Sequence, residues 1–219
     1  MKDIDATLTP DLLLQAYQVG VFPMSEGRLD PDVFWVDPKL RGVFPLDGFR
    51  ISRSLAKTMR RGHFLATADA AFLDVMRGCA DRDETWINDT ILTLYSALFE
   101  RGHAHSIEIW ENGNLVGGVY GVAIGGAFFG ESMFSKSTDA SKVALAYLVD
   151  RLRAGGFALF DTQFLTPHLA SLGAIEIPRA AFQKHLAAAL PLNADFAAQG
   201  PIPAAQDVIQ RNAQISYRG

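Results

Sequence analysis

Three apolar runs separated by two glycine turns constrain the fold of this chain more than any other feature of the sequence. The runs extend from His105 to Trp110, from Leu115 to Ile124 and from Ala127 to Phe134. An Asn-Gly pair lies between the first two runs and a Gly-Gly pair between the last two, and such pairs are typical of tight hairpins. The pattern predicts an antiparallel meander of three strands.

Helical periodicity and short apolar segments surround the meander. The predicted helices cover residues 10–20, 52–61, 69–80, 89–101, 139–154, 168–172 and 178–189, and further strands cover 64–66, 157–161 and 174–177. Residues 22–45 are rich in proline and glycine, which predicts irregular chain around short extended pieces such as 33–36. The chain beyond Pro191 is expected to be loosely determined.

The order of these elements predicts an α+β fold in which helices pack over a mixed sheet. A boundary near Asp37 is expected to separate a small N-terminal domain, residues 1–37, from a larger domain, residues 38–219.

The composition limits the class of protein. With 219 residues, 49% of them hydrophobic, the chain can bury the core of one ordinary domain and a small appendage. No apolar stretch approaches the roughly 20 residues of a membrane-spanning helix, and the N-terminus lacks the pattern of a signal peptide, so we expect a cytoplasmic protein. The formal net charge of −4 argues against indiscriminate coating of nucleic acid but is compatible with a local basic patch.

Metal and thiol chemistry are not predicted. The single cysteine, Cys79, lies in an apolar periodic run and is interpreted as a small core residue, with a catalytic nucleophile as the alternative. His103 and His105 lack a third ligand and form only a weak metal pattern. The sequence therefore predicts no bound metal.

A carboxylate inside the third predicted strand is the first candidate for chemistry. Glu131 lies among aromatic and sulfur-containing neighbours, where an unpaired charge is costly to bury. Strand alternation predicts Phe129, Glu131 and Met133 on one face and Phe128 and Ser132 on the other. One interpretation is a glutamate at a sheet edge, satisfied by the backbone or an arginine. The other is an acidic group on the floor of an apolar pocket, placed to bind an amine.

A second candidate pair lies at the end of the strand predicted at 157–161. Asp161 and Gln163 alternate onto one face, so the carboxylate can contact the amide and fix its orientation. Side chains at strand ends often project toward functional sites. The alternative is that both residues cap the following helix or a turn.

A basic stripe runs along the helix predicted at 52–61, without an intervening acidic residue. It consists of Arg53, Lys57, Arg60 and Arg61. The stripe is either a solvated face or a phosphate-binding surface, and in the second case binding would depend strongly on salt. The helix predicted at 139–154 carries a further basic set, Lys142, Arg151 and Arg153.

Several motifs, in register over about residues 12–182, resemble one family. They include Thr85-Trp86-Ile87, His103-Ala104-His105-Ser106-Ile107-Glu108, Leu115-Val116-Gly117-Gly118-Val119-Tyr120-Gly121-Val122, Gly130-Glu131-Ser132-Met133-Phe134-Ser135 and Glu176-Ile177-Pro178-Arg179. In this order they closely resemble leucyl/phenylalanyl-tRNA-protein transferases.

The resemblance implies a small N-terminal domain and a larger domain with an acetyltransferase-like (GNAT) fold that is used for aminoacyl transfer. The pyrophosphate-binding loop of acetyltransferases is missing from residues 135–142, so acetyl-CoA is not predicted and no cofactor is expected. Met24 stands where many relatives carry tryptophan. Because methionine is also apolar but softer, the pocket wall is expected to survive with an altered shape.

The implied reaction transfers Leu or Phe, and Met more weakly, from aminoacyl-tRNA to the N-terminal α-amine of proteins that begin with Arg or Lys, which marks them for N-degron degradation. By resemblance, Gln163 accepts a hydrogen bond from the attacking amine, Asp161 orients the amide, and Glu131 binds a positively charged group. The basic stripe would hold the acceptor arm of the tRNA through its phosphates. The aminoacyl pocket would be lined by Trp86, Met24, Phe128 and Ser132.

Two other classes of function are left open by the residues. One is an N-acetyltransferase that uses acyl-CoA, against which the missing loop counts. The other is a non-enzymatic module that binds tRNA or peptide and retains charged tRNA without consuming it. For Trp86, a plug in the core is the alternative to a wall of the ligand site.

Overall fold

A seven-stranded mixed sheet forms the centre of the protein, whose computed structural model describes residues 8–30 and 32–216. In spatial order the strands are β4 (Phe64–Ala68), β5 (Ala104–Glu111), β6 (Asn114–Ile124), β7 (Ala127–Ser135), β8 (Leu159–Gln163), β3 (Leu40–Phe44) and β9 (Ile175–Pro178). Strands β5, β6 and β7 are antiparallel, which confirms the predicted meander and the α+β layout. A separate antiparallel hairpin consists of β1 (Phe22–Met24) and β2 (Phe34–Val36).

The centre of the sheet combines parts of the chain that are distant in sequence. Strand β8 pairs with β7 in parallel, and helix α5 (Ala140–Ala154) connects the two. Strand β3 lies between β8 and β9 and is antiparallel to both. The prediction of irregular chain at 22–45 is therefore wrong for β3, because strands more than a hundred residues away supply its hydrogen-bond partners.

The other helices of the described chain are α1 (Pro10–Gln18), α2 (Arg53–Arg60), α3 (Phe72–Ala80), α4 (Asp89–Glu100), α6 (Pro167–Ser171), α7 (Arg179–Ala189) and α8 (Ala205–Ser216). Side-chain caps at Thr9, Ser52 and Asn88 explain where α1, α2 and α4 begin. Helix α3 begins later than the predicted Asp69, because the Asp69 carboxylate accepts a hydrogen bond from the Ser106 backbone N–H over 2.7 Å instead of capping the helix.

Beyond Pro191, the described chain up to residue 216 packs against the rest of the protein, so the prediction of a loosely determined tail is wrong for this part. Helix α8 contacts α2 and α5, and Phe196 and Val208 are buried in the core. Asp150 on α5 accepts hydrogen bonds from Arg211 Nε over 2.8 Å and from Nη2 over 2.7 Å. Asp150 and Arg211 are 61 residues apart, so no local sequence pattern indicates their contact.

Two hydrophobic clusters lie on opposite faces of the sheet. Phe128 belongs to the cluster that includes α2, α5 and α8, whereas its neighbour Phe129 belongs to the cluster with α1, α3, α4 and α7. Leu13 and Tyr17 of α1 are fully buried in the second cluster, so the N-terminal helix shares a core with the sheet. Within residues 8–30 and 32–216, no helix has the length and apolar character needed to cross a membrane.

Candidate active site

A cavity of about 270 Å³ opens where β7 and the end of β8 meet the β1–β2 hairpin. Of the predicted site residues, Met24, Trp86, Glu131, Ser132 and Gln163 line it. The lining also includes Phe22, Pro23, Arg82, Met133, Thr162, Phe164, Thr166 and Leu169. The cavity combines apolar walls with a carboxylate, an amide and a guanidinium, which makes it the candidate active site.

A β-bulge in β7 directs Glu131 toward the cavity. The adjacent β6 residues Tyr120 and Gly121 pair with Ser132 and Gly130 of β7, which leaves Glu131 as an extra residue between them. Such a bulge re-aims a side chain at the cost of local ladder pairing.

The bulge overturns the predicted alternation along β7. Phe129 packs with the cluster of α1 and α4, whereas Met133 packs with the opposite cluster around α5. The prediction that Phe129, Glu131 and Met133 share one face is therefore wrong, because one extra residue reverses the alternation beyond it.

Neutral donors hold the Glu131 carboxylate. Tyr17 Oη donates to Oε1 over 2.7 Å, and Tyr95 Oη donates to Oε2 over 3.0 Å. Gln163 Nε2 donates to Oε1 over 3.3 Å. The two tyrosine hydroxyls also contact each other. The direct partners of the carboxylate on the described chain therefore carry no charge.

Burial raises the pKa of Glu131 from its usual value of 4.5 to about 7. The hydrogen bonds from Tyr17 and Tyr95 and the charge of Arg41 lower this pKa, while the charge of Asp161 raises it. Burial also raises the pKa values of Tyr17 and Tyr95 well above their usual range, so both hydroxyls stay protonated and act as donors. Near neutral pH, Glu131 therefore populates both protonation states.

Asp161, on the neighbouring strand, has a charged partner. Arg41 Nε donates to Oδ1 over 2.9 Å and Nη2 donates to Oδ2 over 2.6 Å. Both side chains are at most 1% exposed. The guanidinium also lies 4.6 Å from the ring centre of Phe22 and 4.4 Å from that of Phe182. This buried bidentate ion pair joins β3 to β8 directly behind the cavity.

Gln163 ends β8 with a left-handed backbone, at a φ of 58°. Thr162 is skipped in the β3–β8 pairing, and the Gln163 backbone N–H donates to Asp161 Oδ1 over 2.9 Å. The predicted contact between Asp161 and the amide is wrong, because the carboxylate binds the backbone and the amide turns toward Glu131. Asp161 thus positions Gln163 through the main chain, and non-glycine residues at positive φ are often found at functional sites.

Comparisons with known proteins decide the family. The profile described as leucyl/phenylalanyl-tRNA protein transferase matches residues 43–187, and the profile of that family's N-terminal domain matches residues 6–39. The chain belongs to this family. The resemblance identified from the sequence motifs is thereby confirmed.

Curated members of the transferase family match almost the whole chain. A leucyl/phenylalanyl-tRNA–protein transferase of Cereibacter sphaeroides is 63% identical, and the match covers 95% of this chain and 98% of the relative. Another, of Ruegeria pomeroyi, is 62% identical over 96% of this chain and 100% of the relative. The protein is therefore an aminoacyltransferase.

Among solved structures, the crystal structure of FemX is similar in fold. It aligns with a TM-score of 0.51 at 12% identity and covers 77% of this chain and 66% of that one. At this identity the likeness concerns the fold alone, and it agrees with the mixed sheet flanked by helices.

A smaller cavity of about 90 Å³ adjoins the larger one behind Glu131. The two cavities share Glu131, Ser132, Met133, Thr162 and Leu169. The remaining residues around the smaller cavity are apolar or lack a side chain, namely Val119, Gly130, Leu145 and Phe160. At Gly130, a Cβ atom would lie 2.7 Å from Phe160 Cε2, so glycine is needed for the ring to pack here.

Phe128 lines neither of these cavities, contrary to the prediction that it forms part of the aminoacyl pocket. It is fully buried and packs against the rings of Phe157, Phe160 and Phe196. The ring of Phe128 is enclosed by these core residues, and its neighbour Phe160 lines the smaller cavity in its place.

The basic stripe predicted for α2 is exposed. Arg53, Lys57, Arg60 and Arg61 all face solvent, and none of the four forms an ion pair with a residue that the structure describes. Arg60 Nε donates to Gln206 on α8 over 3.0 Å. In this transferase the stripe is thus a cationic surface without neutralising partners on the described chain.

The second basic set, on α5, does not form a surface patch. Arg151 is 6% exposed and donates to the Gly200 carbonyl over 3.0 Å. Arg153 Nε donates to the Leu46 carbonyl, and Lys142 Nζ is paired with Asp139 over 2.7 Å. The prediction of a basic region here is wrong, because these side chains satisfy carbonyl and carboxylate groups of the protein itself.

Cys79 is a core residue. It is 1% exposed, and burial raises its pKa to about 12, so the thiol stays protonated. A buried neutral thiol is a poor nucleophile. The alternative role as a catalytic nucleophile therefore has no support in the geometry.

Three residues that organise the site, Tyr17, Arg41 and Tyr95, are not indicated by the sequence pattern. The tyrosines lie on apolar faces of predicted helices and resemble ordinary core residues. Arg41 lies in the segment predicted to be irregular. An arginine next to apolar strand residues could have indicated a buried ion pair, because charged side chains are rarely fully buried unless they are paired.

Proposed function

We propose that this transferase moves Leu or Phe, and Met more weakly, from aminoacyl-tRNA to the N-terminal α-amine of proteins that begin with Arg or Lys, and that the product is marked for degradation as an N-degron. Membership in the family supports the donor and the protein acceptor. The observation that carries the proposal is one cavity that joins the Glu131 carboxylate and the Gln163 amide to apolar walls.

The proposed reaction requires the enzyme to orient the amine and the ester more than to activate the ester. The ester between an amino acid and tRNA is already reactive, so the enzyme has to place a neutral amine against its carbonyl carbon. In our proposal the Gln163 amide oxygen accepts a hydrogen bond from that amine. Asp161 acts as a positioning residue that holds the Gln163 backbone, and Arg41 holds Asp161.

The two cavities suit two parts of the donor. We assign the leucine or phenylalanine side chain to the smaller cavity, whose inner lining is apolar. The larger cavity, with Met24, Trp86 and Ser132, takes the end of the tRNA and the acceptor N-terminus. Phe128 then contributes indirectly, because its ring packs against Phe160, which lines the smaller cavity. An apolar pocket distinguishes side chains by only about 1 to 3 kcal/mol per methylene. Methionine should therefore also be accepted, but as a weaker substrate than leucine or phenylalanine.

The basic stripe on α2, formed by Arg53, Lys57, Arg60 and Arg61, is proposed to bind phosphates of the tRNA acceptor arm. Its exposure and its lack of acidic partners on the described chain favour this role. Binding of this kind contributes affinity with little base selectivity and weakens as salt is raised.

We also propose that residues 38–219 form an acetyltransferase-like (GNAT) domain and that residues 1–37 form a small N-terminal domain. The parallel pairing of β7 with β8 across helix α5, next to an antiparallel meander, supports the first assignment. The match of a separate N-terminal profile to residues 6–39 supports the second.

The test is a transfer assay with radiolabelled Leu-tRNA and peptides that differ only in an N-terminal Arg, Lys or Ala. We expect label in the Arg and Lys peptides, none in the Ala peptide, and none in an Arg peptide whose α-amine is acetylated. Intact charged tRNA with no labelled peptide in any reaction would overturn the proposed function in favour of a binding module.

A further inference from the structure

The proposed reaction leaves one proton without a carrier. When the neutral α-amine attacks the ester carbonyl carbon, the C–N bond forms and the nitrogen becomes positively charged. Collapse of the tetrahedral intermediate breaks the C–O bond to the terminal ribose, and the leaving oxygen needs a proton. One proton must therefore travel from nitrogen to oxygen, and a group that takes and returns it balances the reaction.

One wall of the cavity holds a side chain that can carry this proton. The ionisable residues among the described lining residues are Arg82 and Glu131, and a guanidinium does not give up its proton. The amide of Gln163 is not a base, and Asp161 lies outside the lining and is bound to Arg41. We infer that the Glu131 carboxylate takes the proton from the attacking amine and returns it to the ribose oxygen of the tRNA. This inference rests on the proposed function.

The contacts of Glu131 leave capacity for an amine. A carboxylate offers about four lone-pair positions, and the hydrogen bonds from Tyr17, Tyr95 and Gln163 use three of them. Because Gln163 Nε2 is directed toward Glu131, the amide oxygen is left to accept from a second N–H of the amine. The amine can thus be held between the amide oxygen and the carboxylate.

The elements packed around Glu131 present three tyrosines and one opposed pair of charges. Helices α1 and α4 contribute Tyr17 and Tyr95, and β6 contributes Tyr120, whose pKa is also raised by burial. Strand β8 contributes the negative charge of Asp161, which the Arg41 guanidinium from β3 neutralises.

Among the described residues that line the larger cavity, Arg82 is the one cation. Its Nη2 donates to Ser132 Oγ over 3.0 Å, and it has no described ion-pair partner. Burial raises the pKa of Glu131 to about 7, at which a carboxylate can both accept and return a proton at neutral pH.

The decisive experiment compares the pH dependence of the wild type and Glu131→Gln. We would measure kcat/KM for an Arg peptide at saturating Leu-tRNA between about pH 5.5 and 8, a range that spans the usual α-amine pKa of about 7.7 to 8.0. Two groups must be deprotonated in the wild type, the amine and Glu131. The logarithm of kcat/KM should therefore rise with a slope approaching two at the acid end of this range.

In Glu131→Gln the slope should fall to one, because only the amine titrates, and the rate at pH 7.5 should drop by about 100-fold. The preference for the Arg peptide should be retained, with label in the Ala peptide still at background. If the Arg peptide were labelled no faster than the Ala peptide while the slope stayed at two, Glu131 would bind the basic side chain of the acceptor and the inference would be wrong.

Tyr17→Phe provides a second test that retains the carboxylate. The hydrogen bond from Tyr17 lowers the pKa of Glu131. Its loss should therefore shift the acid limb of the pH profile of kcat/KM to higher pH by about one unit. Tyr147→Phe on α5, at a residue that lines neither of the two cavities, is the matched control and should leave the limb in place. An unmoved limb in Tyr17→Phe would contradict the inference, whereas a wild type that transfers to no peptide would contradict the proposed function itself.

Discussion

The two carboxylates of the site lie on adjacent strands and are held in opposite ways. Asp161 on β8 is fully buried and paired with a permanent cation, Arg41. Glu131 on β7 lines the cavity and is held by two phenol hydroxyls and an amide. Burial raises the pKa of both carboxylates. For Asp161 the hydrogen bonds and the charge of Arg41 counteract this rise, whereas for Glu131 the direct partners are neutral donors and the pKa lies at about 7. The charge of the partner thus distinguishes the positioning carboxylate from the one that lines the cavity.

The two environments meet at Gln163. Its backbone N–H binds Asp161 and its amide binds Glu131, so the residue connects the fixed carboxylate to the titratable one. The left-handed backbone at this position directs the main chain to one carboxylate and the side chain to the other. Variants of these three residues can therefore separate the contribution to stability from the contribution to catalysis.

Asp161→Asn should have the largest effect. The substitution leaves the Arg41 guanidinium buried without a counter-charge, which should lower the free energy of unfolding by about 3 to 5 kcal/mol. Urea unfolding followed by tryptophan fluorescence measures this change. A loss below about 1 kcal/mol would mean that the ion pair does not anchor the sheet at this point.

Glu131→Gln is the matched control, because it makes the same chemical change on the neighbouring strand. No cation loses a partner there, so at pH 7 the free energy of unfolding should change by about 1 kcal/mol or less. Equal losses in the two variants would remove the distinction between the carboxylates.

Gln163→Ala should come next in effect and should act on turnover. Loss of the amide removes a hydrogen bond to the carboxylate and the proposed acceptor for the amine, so kcat should fall about 10- to 100-fold. Single-turnover transfer from Leu-tRNA measures this step. Gln163→Gly provides the control for the backbone, because glycine suits the left-handed conformation better than alanine by about 1 kcal/mol. If Gln163→Gly retained activity, the backbone rather than the amide would carry the effect.

The sequence predicted elements whose determinants lie within the element itself. The Asn-Gly and Gly-Gly turns located the meander, and the capping residues Thr9 and Ser52 located the starts of α1 and α2. Glu131 and Gln163 could also be identified as candidates, because polar side chains stand out in apolar strands. In each case a few neighbouring residues contain the necessary information.

The parts of the site that could not be predicted depend on contacts between distant segments. Arg41 and Asp161 are 120 residues apart, and Tyr17 and Glu131 are 114 residues apart. The bulge at Glu131 is a property of the β6–β7 pairing, so strand alternation alone misplaced its neighbours. The environment of each carboxylate could not be predicted for the same reason, because its partners come from distant segments of the chain.

The pH dependence of stability should give the smallest effect and tests the titratable carboxylate without any substrate. In the unfolded chain Glu131 loses its proton near its usual pKa of 4.5, whereas the folded protein keeps the proton up to about pH 7. Between these values the folded state binds more protons, so its stability falls as the pH rises. The free energy of unfolding of the wild type, relative to Glu131→Gln, should therefore decrease between these two pH values, by on the order of 1 kcal/mol because the open cavity admits water. Urea unfolding of both proteins across this range measures the difference. A difference that stays constant, or increases with pH, would show that burial in the folded protein does not raise the pKa of Glu131 above its value in the unfolded chain.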